Sequence, residues 1–233
     1  MRRLLLPGLI AGSALAICGA AGAATTISFT SYQVAPNSGE AIVTDFETPT
    51  EPGLLSQVIF NMSGYSLSGN AELVTGSSNL AAAPAMSLTT RDPTQYLAVE
   101  NGQSADLITP FLSTISFYVG SLDGFNGLTF THKDGTTETF MGTAIDSLLT
   151  TVDANGNQAA ADSNGRLSFT FSNPITAVQF SSASNSFEIS NIATTMALAL
   201  VPEPAGWAMM LVGFGGVGAL LRKRRTYQEA AVA

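Results

Sequence analysis

The sequence predicts an all-β fold for residues 24–200, a single β-sandwich with jelly-roll-like topology, flanked by an N-terminal signal helix and one C-terminal transmembrane helix. Apolar residues alternate with polar ones in several short runs, which is the two-residue period of half-buried strands. Turn-forming pairs such as Asp123-Gly124 and Asn164-Gly165 separate these runs. The segment is long enough for one core between two packed sheets, and a barrel is the alternative that this pattern leaves open.

Five runs carry the alternation most clearly, and each places its apolar residues on one face of a predicted strand. They are TISFTSYQV with Ile27 and Phe29, TISFYVG with Ile115, Phe117 and Val119, GLTFTH with Leu128 and Phe130, RLSFTF with Leu167, Phe169 and Phe171, and TAVQFSS with Val178 and Phe180. Asn173-Pro174 predicts a turn between the last two runs. Residues 143–151 have the pattern of a short helix.

Residues 1–23 have the organisation of a secretory signal peptide: a basic start, an apolar stretch and small residues at the end. Ala21 and Ala23 supply the small-x-small pattern that signal peptidase accepts, which predicts cleavage before Ala24. An uncleaved anchor is the alternative. Because the one cysteine, Cys18, lies in this segment, the exported chain is expected to have no disulfide and no thiol chemistry.

The body of the chain is strongly acidic. Residues 24–201 contain 15 of the 17 acidic residues and only three basic ones, Arg91, Lys133 and Arg166. Such a body is repelled by phosphate backbones, so the charge argues against nucleic acid as a partner. It is compatible with divalent cations or basic partners, but the solubility of an exported protein is the simpler explanation.

The segment 201–225 combines a Pro-Glu-Pro step, an uncharged apolar run and a cluster of four cations. We expect a helix over 205–221 to cross the inner membrane, although its uncharged stretch, 207–221, spans only about 22 Å at about 1.5 Å per residue. The hydrocarbon core is about 30 Å thick, so local thinning of the bilayer is needed. Cations are retained on the cytoplasmic side, which predicts a single-pass precursor with its N-terminus outside.

This order of elements resembles the PEP-CTERM sorting signal, in the variant that is also labelled the C-terminal domain of ice-binding proteins. The residues that carry the resemblance are Pro202, Glu203, Pro204, Trp207, the Ala208-Met209-Met210 block, the Gly213-Phe214-Gly215 step, Arg222, Lys223, Arg224 and Arg225. The resemblance implies a Gram-negative source and an exosortase that recognises residues 202–204 and removes the helix and basic tail. The ectodomain then reaches the cell surface or is secreted. An unprocessed tail anchor is the alternative.

Two stretches of the body are similar to strands of other exosortase-sorted ectodomains, which resemble carbohydrate-binding modules. They are FYVGSLDGFNGLTF, residues 117–130, and SFEISNIA, residues 186–193. This similarity implies exopolysaccharide as a partner. The turn in the first stretch offers Asp123 and Asn126 as candidates to bind a hydroxyl group or a hard cation.

The sequence offers little for catalysis, and we expect a non-catalytic protein without a cofactor. His132, the sole histidine, is predicted to lie at a strand end facing the core, so a site with several imidazoles has no residues to use. A secreted hydrolase is the alternative, because a glycosidase needs only two facing carboxylates. Asp153, Asn155 and Asn157 are calcium candidates in one loop, although the loop departs from the EF-hand pattern and a plain linker explains it too.

These patterns together predict an exported, non-catalytic protein of the cell surface or extracellular matrix, associated with exopolysaccharide. An ice- or carbohydrate-binding adhesin is the second possibility. Ice binders tend to present regular threonine ladders, and the threonines of this chain are not periodic.

Overall fold

The computed structural model describes residues 15–17, 24–47, 53–54, 64–197 and 208–218. The chain divides into two compact units, Met1–Ala197 and Leu198–Ala233. The described strands of the first unit are β1 (Leu15–Ile17), β2 (Thr25–Ser31), β3 (Ala41–Thr44), β4 (Gly53–Leu54), β5 (Ser66–Gly69), β6 (Glu72–Thr75), β7 (Gln95–Val99), β8 (Ser104–Gly120), β9 (Asn126–His132), β10 (Thr137–Met141), β11 (Gly165–Ser182) and β12 (Phe187–Met196). Helix α1 (Gly142–Leu148) lies between β10 and β11.

Two long antiparallel strands, β8 and β11, organise the sheet. The C-terminal half of β8 and the N-terminal half of β11 lie between β12 and β2. The other halves of the same two strands lie between β5 and β9. The described strands therefore form one connected, curled antiparallel sheet, and the all-β prediction is confirmed.

β11 continues through the position where a turn was predicted, so the prediction of two strands separated at Asn173-Pro174 is wrong. The pairing of β11 with β8 is irregular between Thr170 and Ile175 and again between Ile175 and Ala177. Pro174 has no N–H to donate, and such a residue is tolerated where the ladder is interrupted. The register between the two strands shifts at these points, and β11 continues instead of ending.

The inside of the curl is a single hydrophobic core rich in phenylalanine. The Phe130 ring lies with its centroid 4.7 Å from that of Phe169 and 5.0 Å from that of Phe171. Phe117 meets Phe180 edge to face at 5.2 Å between centroids. Tilted and edge-to-face pairs suit the charge distribution of aromatic rings, so the alternating residues of β8, β9 and β11 form the core as predicted.

The opposite face of β8 and β11 is also buried, although its side chains are polar. Ser116 and Arg166 are fully buried, and Tyr118 is 1% exposed. Arg166 donates from Nη1 to Ser116 Oγ at 2.8 Å, and Ser116 Oγ donates to Glu40 Oε2 at 2.5 Å. The Tyr118 hydroxyl donates to the carbonyl of Ala85. The segments 32–40 and 77–94 therefore cover this face through hydrogen bonds.

The N-terminal segment differs from its prediction where it is described. A helix was predicted there, but residues 15–17 form strand β1, which pairs with the free edge of β2. Leu15 lies opposite Ile27 and Ile17 opposite Thr25. An edge strand exposes unpaired backbone N–H and C=O groups, which an adjacent extended segment can satisfy. The rest of residues 1–23 lies outside the described residues.

Two helices are described. The short helix predicted at 143–151 is present as α1, which ends earlier because the Leu149 backbone is extended. In the second unit, residues 208–218 form helix α2, and its side chains are exposed. α2 lies within the predicted transmembrane segment 205–221, whose other residues are not described. In the described part of the chain, no helix has the length and apolar content of a membrane span.

Candidate functional site

A polar pocket of about 280 Å³ opens at one end of the curled sheet. Four segments line it: residues 78–82, the β8–β9 turn at 121–125, residues 156–158 and residues 184–188 at the start of β12. Two of its lining residues, Asp123 and Glu188, carry carboxylates. The two carboxylates differ in burial and in hydrogen bonding, and this difference determines which of them can contact a ligand.

The β8–β9 turn is held rigidly by backbone contacts. Ser121 adopts a left-handed conformation with φ of 40°, and its N–H donates to Asn164 Oδ1 at 3.0 Å. The Leu122 side chain is fully buried and its N–H donates to the Ser163 carbonyl at 2.9 Å. Non-glycine residues with positive φ persist only where their surroundings hold them. The turn is therefore a fixed platform for the residue that follows, Asp123.

The Asp123 side chain occupies a space that two glycines leave open. A Cβ on Gly156 would lie 2.2 Å from Asp123 Oδ1, and one on Gly142 would lie 1.9 Å from the Asp123 carbonyl oxygen. Gly156 also has a φ of 71°, which favours glycine. Both positions need glycine for Asp123 to sit where it does.

The Asp123 carboxylate is partly buried and has no hydrogen-bond donor among the described residues. Burial raises its pKa to about 6, because the charged form loses hydration that no donor replaces. The carboxylate is thus free to accept hydrogen bonds from a ligand in the pocket.

Glu188 is 1% exposed and its carboxylate is already bonded. Oε1 accepts from the Ala82 N–H at 3.0 Å and from the Ser186 hydroxyl, and Oε2 accepts from the Ser121 hydroxyl at 2.8 Å. Burial raises the pKa of Glu188, while these donors act in the opposite direction. Glu188 therefore ties three segments of the pocket wall together, and Asp123 is the carboxylate left open to a ligand.

Asn126, the second candidate in the predicted ligand turn, holds the backbone of Asp123 in place through a hydrogen bond. It is 1% exposed, and its Oδ1 accepts from the Asp123 N–H at 2.7 Å. Its Nδ2 donates to Ser182 Oγ at 3.2 Å and to the Ser186 carbonyl at 3.3 Å. Asn126 thus positions the turn, and its amide is not presented to the pocket.

The three calcium candidates use their side chains to fold their own loop. Asn155 Nδ2 donates to Asp153 Oδ2 at 2.7 Å, and Asn155 Oδ1 accepts from the Asn157 N–H at 2.9 Å. Asn157 Oδ1 accepts from the backbone N–H groups of Ala159 and Ala160, at 3.0 and 3.1 Å. Within the described residues, no group of three His, Cys, Asp or Glu side chains is placed to hold a metal. Calcium binding stays a prediction.

The loop of the calcium candidates nevertheless contributes to the pocket. Asn155 forms an isolated antiparallel bridge with Asp123, and the next residue is the Gly156 that accommodates the carboxylate. The structure thus brings together two segments that the sequence singled out separately.

Other predicted residues are placed as follows. His132 lies at the end of β9 and is 4% exposed, with Nδ1 2.9 Å from the Asn173 carbonyl oxygen and Nε2 3.6 Å from Glu138 Oε2, as expected of a strand-end residue. The Ala24 N–H donates to Ser172 Oγ at 2.7 Å. Outside the described residues lie Ala21, Ala23, Pro202, Glu203, Pro204, Trp207, Arg222, Lys223, Arg224 and Arg225.

Sequence reasoning did not assign Glu188 or Gly156 to a site, although Glu188 lies in the stretch 186–193 that the sequence singled out. Glu188 stands between Phe187 and Ile189 in a strand, where an acidic residue usually faces solvent. Gly156 follows Asn155 in a pair typical of any turn. Neither pattern distinguishes a pocket residue from an ordinary surface residue.

A comparison of the sequence with known protein families finds no match, and one with curated proteins finds none. Among solved structures, the catalytic unit of the thermostable GH87 α-1,3-glucanase from Streptomyces thermodiastaticus is similar at 13% identity and a TM-score of 0.29. The similarity covers 61% of this chain and 28% of the glucanase chain.

Two further structures are similar at the same level. TmCBM61 in complex with β-1,4-galactotriose has 12% identity and a TM-score of 0.28, over 58% of this chain and 90% of its own. The catalytic domain of a GH87 α-1,3-glucanase variant with tetrasaccharides has 10% identity and a TM-score of 0.31, over 71% of this chain and 31% of its own. This chain thus spans less than a third of either glucanase chain, and the similarity is too low to assign it an activity.

Proposed function

We propose that the chain is an exported, non-catalytic surface protein whose β-rich unit associates with exopolysaccharide. The observation that carries this proposal is the free carboxylate of Asp123 on a rigid turn inside a polar pocket. Sugars present hydroxyl groups, and a fixed carboxylate is a strong acceptor for them. The acidic charge of the body also favours solubility.

The non-catalytic part of the proposal is supported by the bonding of Glu188. A glycosidase of the common type uses two carboxylates that both reach the substrate. Glu188 is buried and receives three hydrogen bonds from the pocket wall. Among the described residues, the pocket therefore offers a ligand one accessible carboxylate, which suits binding better than acid–base chemistry.

We further propose a β-sandwich architecture like that of carbohydrate-binding modules. β8 and β11 each have two halves with different neighbours, and irregular pairing separates the halves. Strands that pass from one layer to another through bulges are a known way of joining two packed sheets.

The C-terminal segment is proposed to act as a PEP-CTERM signal. The precursor would cross the inner membrane once, with its N-terminus outside and Arg222 to Arg225 in the cytoplasm, after signal peptidase removes residues 1–23. An exosortase would then cut near residues 202–204 and release the ectodomain to the surface or medium. This proposal is supported by the order of the proline motif, apolar run and cations.

Two measurements test the proposed function. Mass spectrometry of the protein exported by a host that carries an exosortase is expected to find an N-terminus at Ala24 and a C-terminus near 201–204. A processed protein that keeps Arg222 to Arg225 would contradict the sorting proposal.

In the second measurement, the full chain in detergent is sedimented with the host's purified exopolysaccharide, with and without a calcium chelator. No co-sedimentation in either condition would contradict the association.

A further inference from the structure

We infer that the pocket binds a single neutral sugar unit through its hydroxyl groups, with Asp123 as the acceptor, and that it discriminates against acidic sugars. The inference rests on the proposed association with polysaccharide and assigns that association to one site and one class of ligand. Four properties of the pocket support this inference: the Asp123 acceptor, the amide donors in the lining, the absence of a cation in the described lining and the volume.

The acceptor is Asp123. Both of its carboxylate oxygens lack a donor among the described residues, and Gly156 and the β8–β9 turn fix their position. A carboxylate can accept one hydrogen bond on each oxygen, so it matches two hydroxyl groups on neighbouring carbons of a sugar ring. Because the turn is already rigid, little ordering is needed when a ligand binds.

Neutral amides line the same pocket as this acceptor. Asn79, Gln158 and Asn185 line the pocket and are exposed to solvent. Asn185 accepts at Oδ1 from the Asn101 N–H at 3.0 Å, which leaves its Nδ2 available as a donor. A hydroxyl group both donates and accepts, so it pairs with a carboxylate and an amide at once. This mixture of partners suits a polyol better than an ion.

Phe125 is the aromatic residue that lines the pocket. It is partly exposed and lines the same pocket as Asp123. A sugar ring carries C–H groups on one face, which pack against an aromatic ring, while its hydroxyl groups point outward from its edge. Phe125 is thus the lining residue available for this packing, in a pocket whose surface is otherwise mostly polar.

Charge excludes acidic ligands. None of Arg91, Lys133 and Arg166, the three cations of the body, lines the pocket in the described part of the chain. A uronate or sulfate would meet Asp123, with Glu188 behind it, and no compensating cation. A calcium ion is disfavoured for a different reason, because it requires six to eight oxygen ligands and the Glu188 oxygens are already engaged.

The size of the pocket limits the ligand to about one sugar unit. Its volume of about 280 Å³ lies at the lower end of ligand pockets, which hold roughly 300 to 1,000 Å³. A chain of sugars would have to continue outside it. We therefore expect recognition of one unit, at a chain end or a branch.

The test is titration of the full chain in detergent with methyl glucoside, methyl galactoside and glucuronate, followed by ligand-observed NMR. At least one neutral glycoside is expected to bind with a Kd of about 1 mM, and glucuronate is expected to bind at least about tenfold more weakly. Asp123→Asn keeps the shape of the side chain and should weaken binding about tenfold. Asp146→Asn is the matched control, since Asp146 is exposed on α1 outside the pocket and should bind as the unchanged protein does.

Phe125→Leu is a second variant that leaves the carboxylate in place and should weaken binding several-fold. Thermal unfolding of each variant verifies that it is folded. If the protein co-sediments with polysaccharide but no neutral glycoside binds, or if Asp123→Asn binds as well as Asp146→Asn, the site assignment is overturned and the association stands. Loss of glycoside binding on chelation would overturn the direct contact with Asp123. Failure to co-sediment at all would remove the proposed function itself.

Discussion

Around the pairing of Ser116 with Ser168, both faces of β8 and β11 contain buried residues, but the two faces are stabilised by different interactions. On the inner face, Phe117 and Phe169 are fully buried among other apolar side chains. On the outer face, Ser116 and Arg166 are just as inaccessible, but each is held by directed hydrogen bonds. Apolar burial is non-directional, whereas a buried polar group requires its partner at a set distance and angle.

The difference has a consequence for the site. The side chains of the inner face pack together in the core. Those of the outer face form hydrogen bonds that hold the covering loops in place. Glu188, next to the pocket, bonds to Ala82 and Ser121 in the same way that Arg166 bonds to Ser116 and the loop at 32–40. The pocket is thus part of the polar face, and its geometry depends on hydrogen bonds more than on packing.

The inner face should respond most strongly to loss of volume. Phe169→Ala removes a fully buried ring that contacts Phe130 and Phe140. We expect the free energy of unfolding to fall by about 4 kcal/mol, because transfer and cavity terms add. Urea denaturation measures it. Phe111→Ala, at a phenylalanine that is 57% exposed, is the control and should change stability by less than about 0.5 kcal/mol. If the two substitutions lowered the free energy of unfolding equally, Phe169 would not lie in the hydrophobic core as described.

The outer face should respond to loss of charge and donors. Arg166→Met keeps most of the side-chain volume but leaves Ser116 and the carbonyls of Val34 and Asn191 without this donor. It also removes the positive charge that interacts with Glu40. We expect a loss of about 3 kcal/mol, since removing one partner strands the other charge. Lys133→Met replaces an exposed cation and should be nearly neutral. An Arg166→Met protein of unchanged stability in urea would show that packing alone holds the outer face.

The contrast between the faces also explains how far the sequence could predict the fold. Ile115, Phe117 and Val119 were assigned to one face of a strand by alternation, and that face is the core. Ser116 and Tyr118 alternate with these residues and therefore belong to the other face, but alternation cannot show that segment 77–94 covers that face. Alternation shows which residues are polar, but it does not show which are exposed. A polar residue can be buried when another segment of the chain supplies its hydrogen bonds.

The site was predictable to a smaller extent for the same reason. The turn signal at Asp123-Gly124 located the acceptor, because turn chemistry is local. The space for its carboxylate depends on Gly156, 33 residues further along the chain, and on Gly142 at the start of α1. Contacts between distant segments leave no period or motif in one sequence, so Glu188 and Gly156 became visible only in the structure.

A single hydroxyl group tests the outer face more finely. Tyr118→Phe removes the donor to the buried Ala85 carbonyl without changing the ring. We expect a loss of about 1.5 kcal/mol, because a buried acceptor loses its partner. Tyr65→Phe removes a hydroxyl bonded to Thr194 at 2.7 Å at a partly exposed position, where water can replace it. Its loss in urea denaturation should be smaller, and the reverse order would contradict the structural role given to segment 77–94.

The smallest expected effect concerns the free carboxylate of the pocket. The pKa of Asp123 is about 6, above the 3.8 ordinary for aspartate, so between these values the folded protein binds a proton that the unfolded chain does not. Stability should therefore rise as the pH falls through 6, and this gain is complete below the ordinary value. Since the carboxylate is half exposed and screened by water, we expect no more than about 1 kcal/mol.

Asp123→Asn removes this titration, and comparison of its pH profile with that of the unchanged protein isolates it. Glu188, whose pKa is also raised, contributes to both profiles and cancels in their difference. Urea denaturation between about pH 7 and pH 4 should show the unchanged protein gaining stability relative to the variant, with Asp146→Asn following the unchanged protein. Parallel profiles of the Asp123→Asn and unchanged proteins would mean that a donor already satisfies the carboxylate. Asp123 would then be a bonded structural residue like Glu188, and the pocket would offer a ligand no free carboxylate.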